Sequence, residues 1–200
     1  MSDVSITVIP DGPMKVSGAR SLAYAGELLP TPEGDVYLCR CGESKNAPFC
    51  DGSHKTTGFV GSSEPRTARP VAVWGGRTIR TRFNPNTCMH AYYCKPLNAL
   101  READLAGDDS AAAEIARVVG TCPSGALSYE AISPLSVVDP EAGPQIDIQA
   151  GGEVRVQCAF VINAERPEAQ ADDRATLCRC GLSKSKPWCD GRHSKRDAFR

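Results

Sequence analysis

The chain has 200 residues and a formal net charge of −1 at neutral pH, so its overall charge gives no reason to expect nucleic acid or a membrane surface as a partner. No apolar run approaches the roughly 18 residues that would cross a bilayer. The ten cysteines are many for this length. Because the first ten residues lack the basic and apolar regions of a signal peptide, we expect a cytoplasmic, reducing location in which the cysteines bind metal.

The N-terminal part of the chain predicts short β-strands. Val4, Ile6 and Val8 alternate with polar residues, which is the pattern of a strand with one buried face. Residues 14–18 and 22–25 predict two further strands, and residues 36–38 lead directly into the first cysteine motif. We therefore expect a β-rich unit that carries this motif.

The cysteine motif has the pattern C-x-C-x8-C-x3-H and occurs twice. The first copy consists of Cys39, Cys41, Cys50 and His54; the second, 139 positions later, consists of Cys178, Cys180, Cys189 and His193. Residues 39–54 and 178–193 are identical at 11 of 16 positions, so the chain contains an internal repeat.

Each copy offers three thiolates and one imidazole, which is a four-coordinate metal set. The C-x-C spacing places two thiolates side by side, where they could hold one metal ion, and leaves the third cysteine and the histidine for another. In the first copy Asp51 is a predicted helix N-cap, Gly42 a predicted turn with positive φ, and Ser44 a predicted hydrogen-bond donor to sulfur. The competing interpretation is a structural Cys3His zinc site.

The middle of the chain carries a different cysteine pattern. After a polar stretch at residues 61–70, residues 71–83 predict a hairpin that turns at Gly75-Gly76. Cys88 and Cys94 then form C-x5-C with Ala91 between them, and Cys122-Pro123 follows. The alanine-rich segment 110–119 predicts a helix and residues 127–131 a strand. A second linker at 139–144 precedes a further set of strands, in which Cys158 is expected to pack in the core.

The two copies of the motif resemble the CDGSH iron–sulfur domain family, whose members hold a [2Fe–2S] cluster with three cysteines and one histidine. That resemblance assigns one such cluster to each copy, with the eight ligands named above. Residues 71–131 resemble the divergent single-cluster 4Fe–4S ferredoxin domain family, through the Cys88–Cys94 segment and the closing motif Cys122 to Leu127.

Three cysteines are available for the middle cluster. Cys88, Cys94 and Cys122 satisfy three irons, so we expect [3Fe–4S]; the alternative is [4Fe–4S] with His90, water or another group as the non-cysteine fourth ligand.

The predicted fold is small, β-rich α+β, with three units at residues 1–62, 63–138 and 139–200. We call them the first repeat, the middle unit and the second repeat. Members of the CDGSH family pair across a two-fold axis, so the two repeats are expected to form a pseudo-two-fold pair within one chain, with the ferredoxin-like middle unit inserted between them. A monomer is then possible.

The expected function is electron transfer, and no catalytic motif indicates an enzyme. The expected partner is a flavoprotein reductase or another oxidoreductase, docked on a basic rim beside the ligands; the members of this rim are Arg40, Lys45, Arg179, Lys184, Lys186 and Arg192. One alternative is storage or transfer of clusters to apo iron–sulfur acceptor proteins, or redox sensing. Another is a zinc-containing interaction module.

Overall fold

The computed structural model describes residues 4–63, 67–136, 143–167 and 171–195. Its strands and helices are β1 (Val4–Val8), β2 (Met14–Ser17), β3 (Leu22–Tyr24), β4 (Glu27–Leu28), β5 (Val36–Leu38), β6 (Ala72–Trp74), β7 (Ile79–Phe83), α1 (Leu97–Ala106), α2 (Ala111–Gly120), β8 (Leu127–Ala131), β9 (Ile146–Ile148), β10 (Val154–Val156), β11 (Phe160–Ile162) and β12 (Ala175–Leu177). Short 3₁₀ helices at Ser53–Lys55 and Arg192–Lys195 contain the two motif histidines. The protein is small, mostly stranded α+β, as predicted.

The two repeats form two sheets that exchange a strand. One sheet has the order β11-β1-β2-β5 and the other β12-β10-β9-β3-β4. Strand β11 of the second repeat runs parallel to β1, and β3 of the first repeat runs parallel to β9. Strands β1, β2 and β5 thus correspond to β9, β10 and β12, and the exchanged strands correspond to each other. The predicted pseudo-two-fold pair is confirmed, and neither repeat builds its sheet alone.

One hydrophobic core is shared by the two repeats. Alternating residues of each strand enter it, as the two-residue period of a strand requires. Its buried members from the first repeat include Val4, Ile6, Met14, Val16, Leu22 and Leu38, and those from the second include Ile146, Ile148, Val154, Val156, Phe160, Leu177 and Trp188. Because each repeat buries its apolar residues against the other, the two repeats stabilise each other.

The middle unit is a separate sheet, β6-β7-β8, packed against α1 and α2. Helix α2 buries Ile115, Val118 and Val119, as predicted for the alanine-rich segment. Asp104 of α1 is fully buried and accepts hydrogen bonds from the backbone N–H groups of Arg77 (2.7 Å) and Thr78 (3.2 Å). This carboxylate therefore anchors the loop between β6 and β7 on the helix.

The structure confirms the predicted strands β1, β2, β3 and β8 and the β6–β7 hairpin, and it adds one helix. Sequence analysis does not predict α1, although Pro96 precedes it and Gly107 (φ 98°) ends it, which is a common pair of helix boundaries. Cys158 packs against the shared core, as expected. Residues 64–66 of the first predicted linker, residues 139–142 of the second and the boundary at 138/139 lie outside the described residues. No helix in the described ranges has the length and apolar character needed to cross a membrane.

Candidate metal centres

The first predicted ligand set lies in the loop that follows β5. Cys39 and Cys41 leave that strand directly, both are buried, and their Sγ atoms are 3.6 Å apart. Cys50 lies one residue beyond a bridge to β5, and His54 lies in the first 3₁₀ helix. The distance from Cys50 Sγ to His54 Nδ1 is 3.4 Å. The four side chains therefore form two close pairs.

The second predicted set repeats this arrangement after β12. The Sγ atoms of Cys178 and Cys180 are 3.9 Å apart, and Cys189 Sγ is 3.5 Å from His193 Nδ1. All three thiols are buried, and the histidine side chain is only 17% exposed. The second site is thus more enclosed at its third cysteine, since Cys189 is buried and Cys50 is half-buried, whereas both histidines are half-buried.

The pair distances fit metal ligation. Two thiolates bound to one tetrahedral metal ion at about 2.3 Å are about 3.8 Å apart, and a thiolate and an imidazole nitrogen are about 3.5 Å apart. The thiol pairs at 3.6 and 3.9 Å, and the thiol–imidazole pairs at 3.4 and 3.5 Å, match these values. Within the part of the chain that the structure describes, no three Cys, His, Asp or Glu side chains converge on one ion position. The donors are grouped two by two.

Backbone N–H groups point at the ligand sulfurs. Gly42 N donates to Cys39 Sγ (3.3 Å) and Glu43 N to Cys41 Sγ (3.4 Å). Gly42 reaches this position with φ 77°, and Gly181 with φ 76°, so the predicted positive φ is confirmed. In the second copy, Leu182 N donates to Cys180 Sγ and Gly191 N donates to Cys189 Sγ. Such donors stabilise the negative charge on a thiolate.

The motif serines have a different role from the predicted one. Ser44 Oγ donates to the carbonyl oxygen of Phe49 (2.5 Å), and Ser183 Oγ donates to that of Trp188 (2.6 Å). Each hydroxyl therefore closes the ligand loop across its base and is not directed at sulfur. The prediction of serine donors to the cluster is wrong, because a nearby carbonyl is the stronger acceptor.

The motif aspartates join the two halves of each ligand loop. Asp51 accepts from the N–H groups of Ser53 (2.9 Å) and Lys45 (2.8 Å), and these contacts, led by that of Ser53, lower the pKa of its carboxyl. The N-cap of the 3₁₀ helix is Gly52, not Asp51, so the predicted cap is displaced by one residue. Asp190 makes the corresponding contacts in the second copy, with the N–H groups of Arg192 and Lys184.

Burial shifts the acidity of the ligand thiols. Desolvation raises the pKa of Cys41 to about 11 and also raises that of Cys189. The hydrogen bond within the Cys178–Cys180 pair lowers the pKa of Cys178 and raises that of Cys180. Because metals bind the thiolate form, loading these sites must release protons.

A buried arginine lies between the two cysteines of each C-x-C pair. Arg40 donates to the carbonyl oxygens of Ile9 (3.2 Å) and Gly61 (2.6 Å), and Arg179 donates to two carbonyl oxygens of the β9–β10 turn. Burial lowers the pKa of both guanidinium groups, whereas the thiols of the opposite repeat, Cys178 for Arg40 and Cys39 for Arg179, raise it. Each guanidinium therefore lies close to both ligand sets.

This burial corrects the predicted basic rim. Arg40 and Arg179 are 3% and 2% exposed, so they cannot contact a partner protein. Lys45 and Lys184 are exposed, and Lys186 and Arg192 are half-buried. The surface cations beside the ligand loops are therefore fewer than the sequence indicates.

The middle unit brings its three cysteines into one neighbourhood. Burial raises the pKa of Cys88, and the nearby thiols of Cys122 and Cys94 raise it further. Cys122 is buried, whereas Cys94 is exposed. The His90 N–H donates to Cys88 Sγ (3.3 Å), and the same sulfur is 3.9 Å from His90 Nδ1. His90 adopts φ 58°, a left-handed backbone conformation.

Sequence analysis missed one residue of the second site. Glu153 is buried, its Oε2 is 3.6 Å from His193 Nε2, and its Oε1 accepts from Arg155 Nε (2.8 Å). The carboxylate thus faces the imidazole nitrogen opposite to the one that faces Cys189. Strand register identifies the corresponding position in the first repeat. Val154 pairs with Leu177 in the second repeat, and Met14 pairs with Leu38 in the first, so Val154 and Met14 correspond. The residue before each is then Glu153 in the second repeat and Pro13 in the first. Nothing in the sequence motif signals this difference.

Two family models match the segments that carry the candidate ligand sets. A family model described as iron-binding zinc finger CDGSH type matches residues 11–55 and 146–194. A model described as divergent 4Fe-4S mono-cluster matches residues 74–131. The comparisons with curated proteins and with solved structures found no match.

Proposed function

Because this chain belongs to the CDGSH-type iron-binding family in its two terminal segments and to the divergent 4Fe-4S mono-cluster family in its middle segment, we propose that it is an electron carrier with three iron–sulfur clusters. The two CDGSH-type ligand sets each hold a [2Fe–2S] cluster, and the middle unit holds a third cluster on its three cysteines. Iron–sulfur clusters supply one-electron chemistry. The chain supplies the ligands, their burial and their spacing.

The pairing of the ligands supports dinuclear iron over zinc. A mononuclear zinc site needs four ligands around one ion. Here each C-x-C pair and each Cys–His pair has the separation expected for two ligands on one metal ion. Two protein ligands per ion suit a cluster in which bridging sulfides complete each iron.

The observation that carries the proposal of electron transfer is the burial of the ligand thiols. Five of the six cysteines in the two CDGSH-type sets are buried, namely Cys39, Cys41, Cys178, Cys180 and Cys189. Transfer of a cluster requires thiolates of the acceptor to reach the iron. An electron needs no such contact. Buried ligands therefore favour a protein that keeps its clusters and exchanges electrons.

The middle cluster is proposed as [3Fe–4S], since three thiolates are available. The family description favours four irons, and a fourth iron would need a ligand other than cysteine. His90 is the candidate for that ligand, because its Nδ1 lies beside Cys88 Sγ. The EPR spectrum of the oxidised protein distinguishes [3Fe–4S] from [4Fe–4S], since only [3Fe–4S] is paramagnetic in that state.

The direct test is anaerobic preparation followed by iron, sulfide and zinc analysis. The proposal expects acid-labile sulfide at all three sites and visible absorbance that bleaches on reduction and returns on oxidation. The holo protein is then mixed with an apo ferredoxin. Retention of the clusters through repeated redox cycles supports electron transfer. Stoichiometric zinc without sulfide would contradict the proposal.

Cluster transfer or redox sensing is the second candidate, and one observation favours it at the first site. Cys50 is half-buried where Cys189 is buried, and Pro13 stands in the first repeat at the place of Glu153, so no such carboxylate faces the imidazole of His54. A histidine ligand is also readily lost to a proton. If transfer occurs, His54→Cys should slow it, whereas His193→Cys should have little effect on the transferred fraction.

The partner is proposed to be an acidic redox protein such as a flavoprotein reductase or oxidoreductase. Lys45 and Lys184 are exposed beside the two ligand loops, where they can attract such a surface. Association should then slow as salt concentration rises, because exposed charges are screened. A rate of electron exchange that does not depend on salt concentration would contradict electrostatic attraction between these lysines and the partner.

A further inference from the structure

Two glycines of the second repeat bring its ligand loop into contact with both other sites. Gly181 packs against the first C-x-C loop, so that a methyl group on it would lie 2.9 Å from the carbonyl oxygen of Cys41. Gly191 packs against the middle unit, where a methyl group would overlap the carbonyl oxygen of Met89. Met89 follows the ligand Cys88. The second repeat therefore contacts a ligand-bearing segment on each side.

The first repeat lacks the corresponding contact with the middle unit. Gly52 is the counterpart of Gly191 in the repeat and has nearly the same backbone conformation, with φ 89° against 81°. A methyl group on Gly52 would meet no atom within 4 Å. The pseudo-two-fold symmetry is thus broken at the point where the middle unit packs on the second loop.

Further contacts hold the middle unit against the second repeat. Arg174 Nη1 donates to the carbonyl oxygens of Val119 (3.2 Å) and Gly120 (2.9 Å) at the C-terminal end of α2. These carbonyls lie in the last turn of the helix, where the macrodipole concentrates partial negative charge that suits a guanidinium, and Val119 O also accepts from Cys122 N (3.0 Å). Arg155 also lies near Tyr93, the neighbour of Cys94. The docking is therefore built by several residues and does not depend on Gly191 alone.

We propose that the three sites form a linear electron relay with the second CDGSH-type site in the centre. This site contacts the first site at Cys41–Gly181 and the middle site at Met89–Gly191. This inference rests on the proposed electron-transfer function. One electron enters at an end site from an external one-electron donor, such as a reduced flavoprotein, which is oxidised by one electron. Each later step oxidises one site and reduces the next by one electron, with no bond or proton change. The first and middle sites exchange electrons only through the second.

The relay order is tested by removing one site at a time from the full-length, reconstituted protein. The variants Cys50→Ala, Cys189→Ala and Cys94→Ala each remove a ligand of one site, and iron and sulfide analysis verifies that two clusters remain. In the dithionite-reduced proteins, EPR relaxation reports the magnetic interaction between the two remaining clusters. We expect this interaction in the Cys50→Ala and Cys94→Ala proteins and its loss in the Cys189→Ala protein, which retains only the end sites.

A matched pair of glycine variants tests the contact itself. Gly191→Ala and Gly52→Ala impose similar backbone strain, because both residues have positive φ, but only the first displaces the Met89 segment. Both variants are made in the Cys50→Ala background. There, Gly191→Ala should weaken the interaction between the second and middle clusters, and Gly52→Ala should leave it unchanged.

The outcomes separate the relay from the proposed function. If the clusters assemble and cycle but the Cys189→Ala protein shows an interaction as strong as that of Cys50→Ala, the linear order is overturned and electron transfer survives. Equal effects of Gly191→Ala and Gly52→Ala would also overturn it. A protein that never contains labile sulfide contradicts the proposed function itself.

Discussion

Glu153 provides the sharpest test of how the chain distinguishes its two CDGSH-type sites. Its buried carboxylate lies 3.6 Å from His193 Nε2, and Pro13 occupies the corresponding place in the first repeat. A negative charge next to a cluster ligand opposes addition of an electron, and a carboxylate partner makes the imidazole a stronger donor. We therefore expect Glu153→Gln to raise the reduction potential of the second cluster only.

The size of the shift follows from the distance. The contact with His193, the width of the imidazole ring and a metal–nitrogen bond together place the carboxylate roughly 8 Å from a bound iron. At an effective dielectric constant of about 20, a unit charge at that distance contributes about 2 kcal/mol. Since 59 mV corresponds to about 1.4 kcal/mol for one electron, the expected rise is on the order of 50–100 mV.

Potentiometric titration followed by visible absorbance measures this shift. A background with both Cys50→Ala and Cys94→Ala, which removes the first and the middle cluster, assigns the signal to the second site. Glu130→Gln is the matched control, because Glu130 is an exposed carboxylate paired with Arg80 in the middle unit. An unchanged potential in Glu153→Gln with full iron content, or an equal rise in Glu130→Gln, would refute the reasoning.

Three further expectations concern stability and the middle cluster. Asp104→Asn should lower the free energy of unfolding by about 2–4 kcal/mol, because hydrogen bonds to a charged group contribute about 1.5–3 kcal/mol each and this buried carboxylate accepts two from the backbone. Asp109→Asn, an exposed control, should change it by less than about 1 kcal/mol in the same denaturant titration. Phe160→Ala should cost about 3–5 kcal/mol and leave one unfolding transition for both repeats, whereas Val161→Ala on the exposed face of the same strand should have little effect; two separate calorimetric transitions would contradict the shared core. His90→Ala should leave the EPR signal of the oxidised middle cluster unchanged if three thiolates alone bind it, and a new [3Fe–4S] signal in the variant would identify His90 as a fourth ligand.

The ligand pairs could be predicted because their geometry is local. Cys39 and Cys41 are two residues apart and Cys50 and His54 four, so short backbone segments bring each pair together. The alternation of Ile146 and Ile148 likewise predicts a strand without knowledge of its partner. The boundaries of helix α1 also have a local sequence signal, in Pro96 and Gly107, but the apolar pattern between them is too weak to predict a helix.

The roles of Arg40 and Glu153 could not be predicted, since each depends on a distant part of the chain. From its position in the sequence, Arg40 is predicted to be a surface cation beside a ligand, but in the fold it is buried near Cys178 of the other repeat. Glu153 precedes an ordinary strand, and only the packing of β10 beside the second ligand loop brings its carboxylate to His193.

The sequence by itself determined the internal repeat and the number and side-chain types of the candidate ligand sets, because these are encoded in spacings of a few residues. Only the tertiary structure decided that β3 and β11 exchange between the sheets, that one core serves both repeats, and that the middle unit packs on the second ligand loop. Those features depend on contacts between residues more than one hundred positions apart, such as Val4 with Phe160. Periodicity records which face of a strand is buried, but it carries no information about which segment buries it.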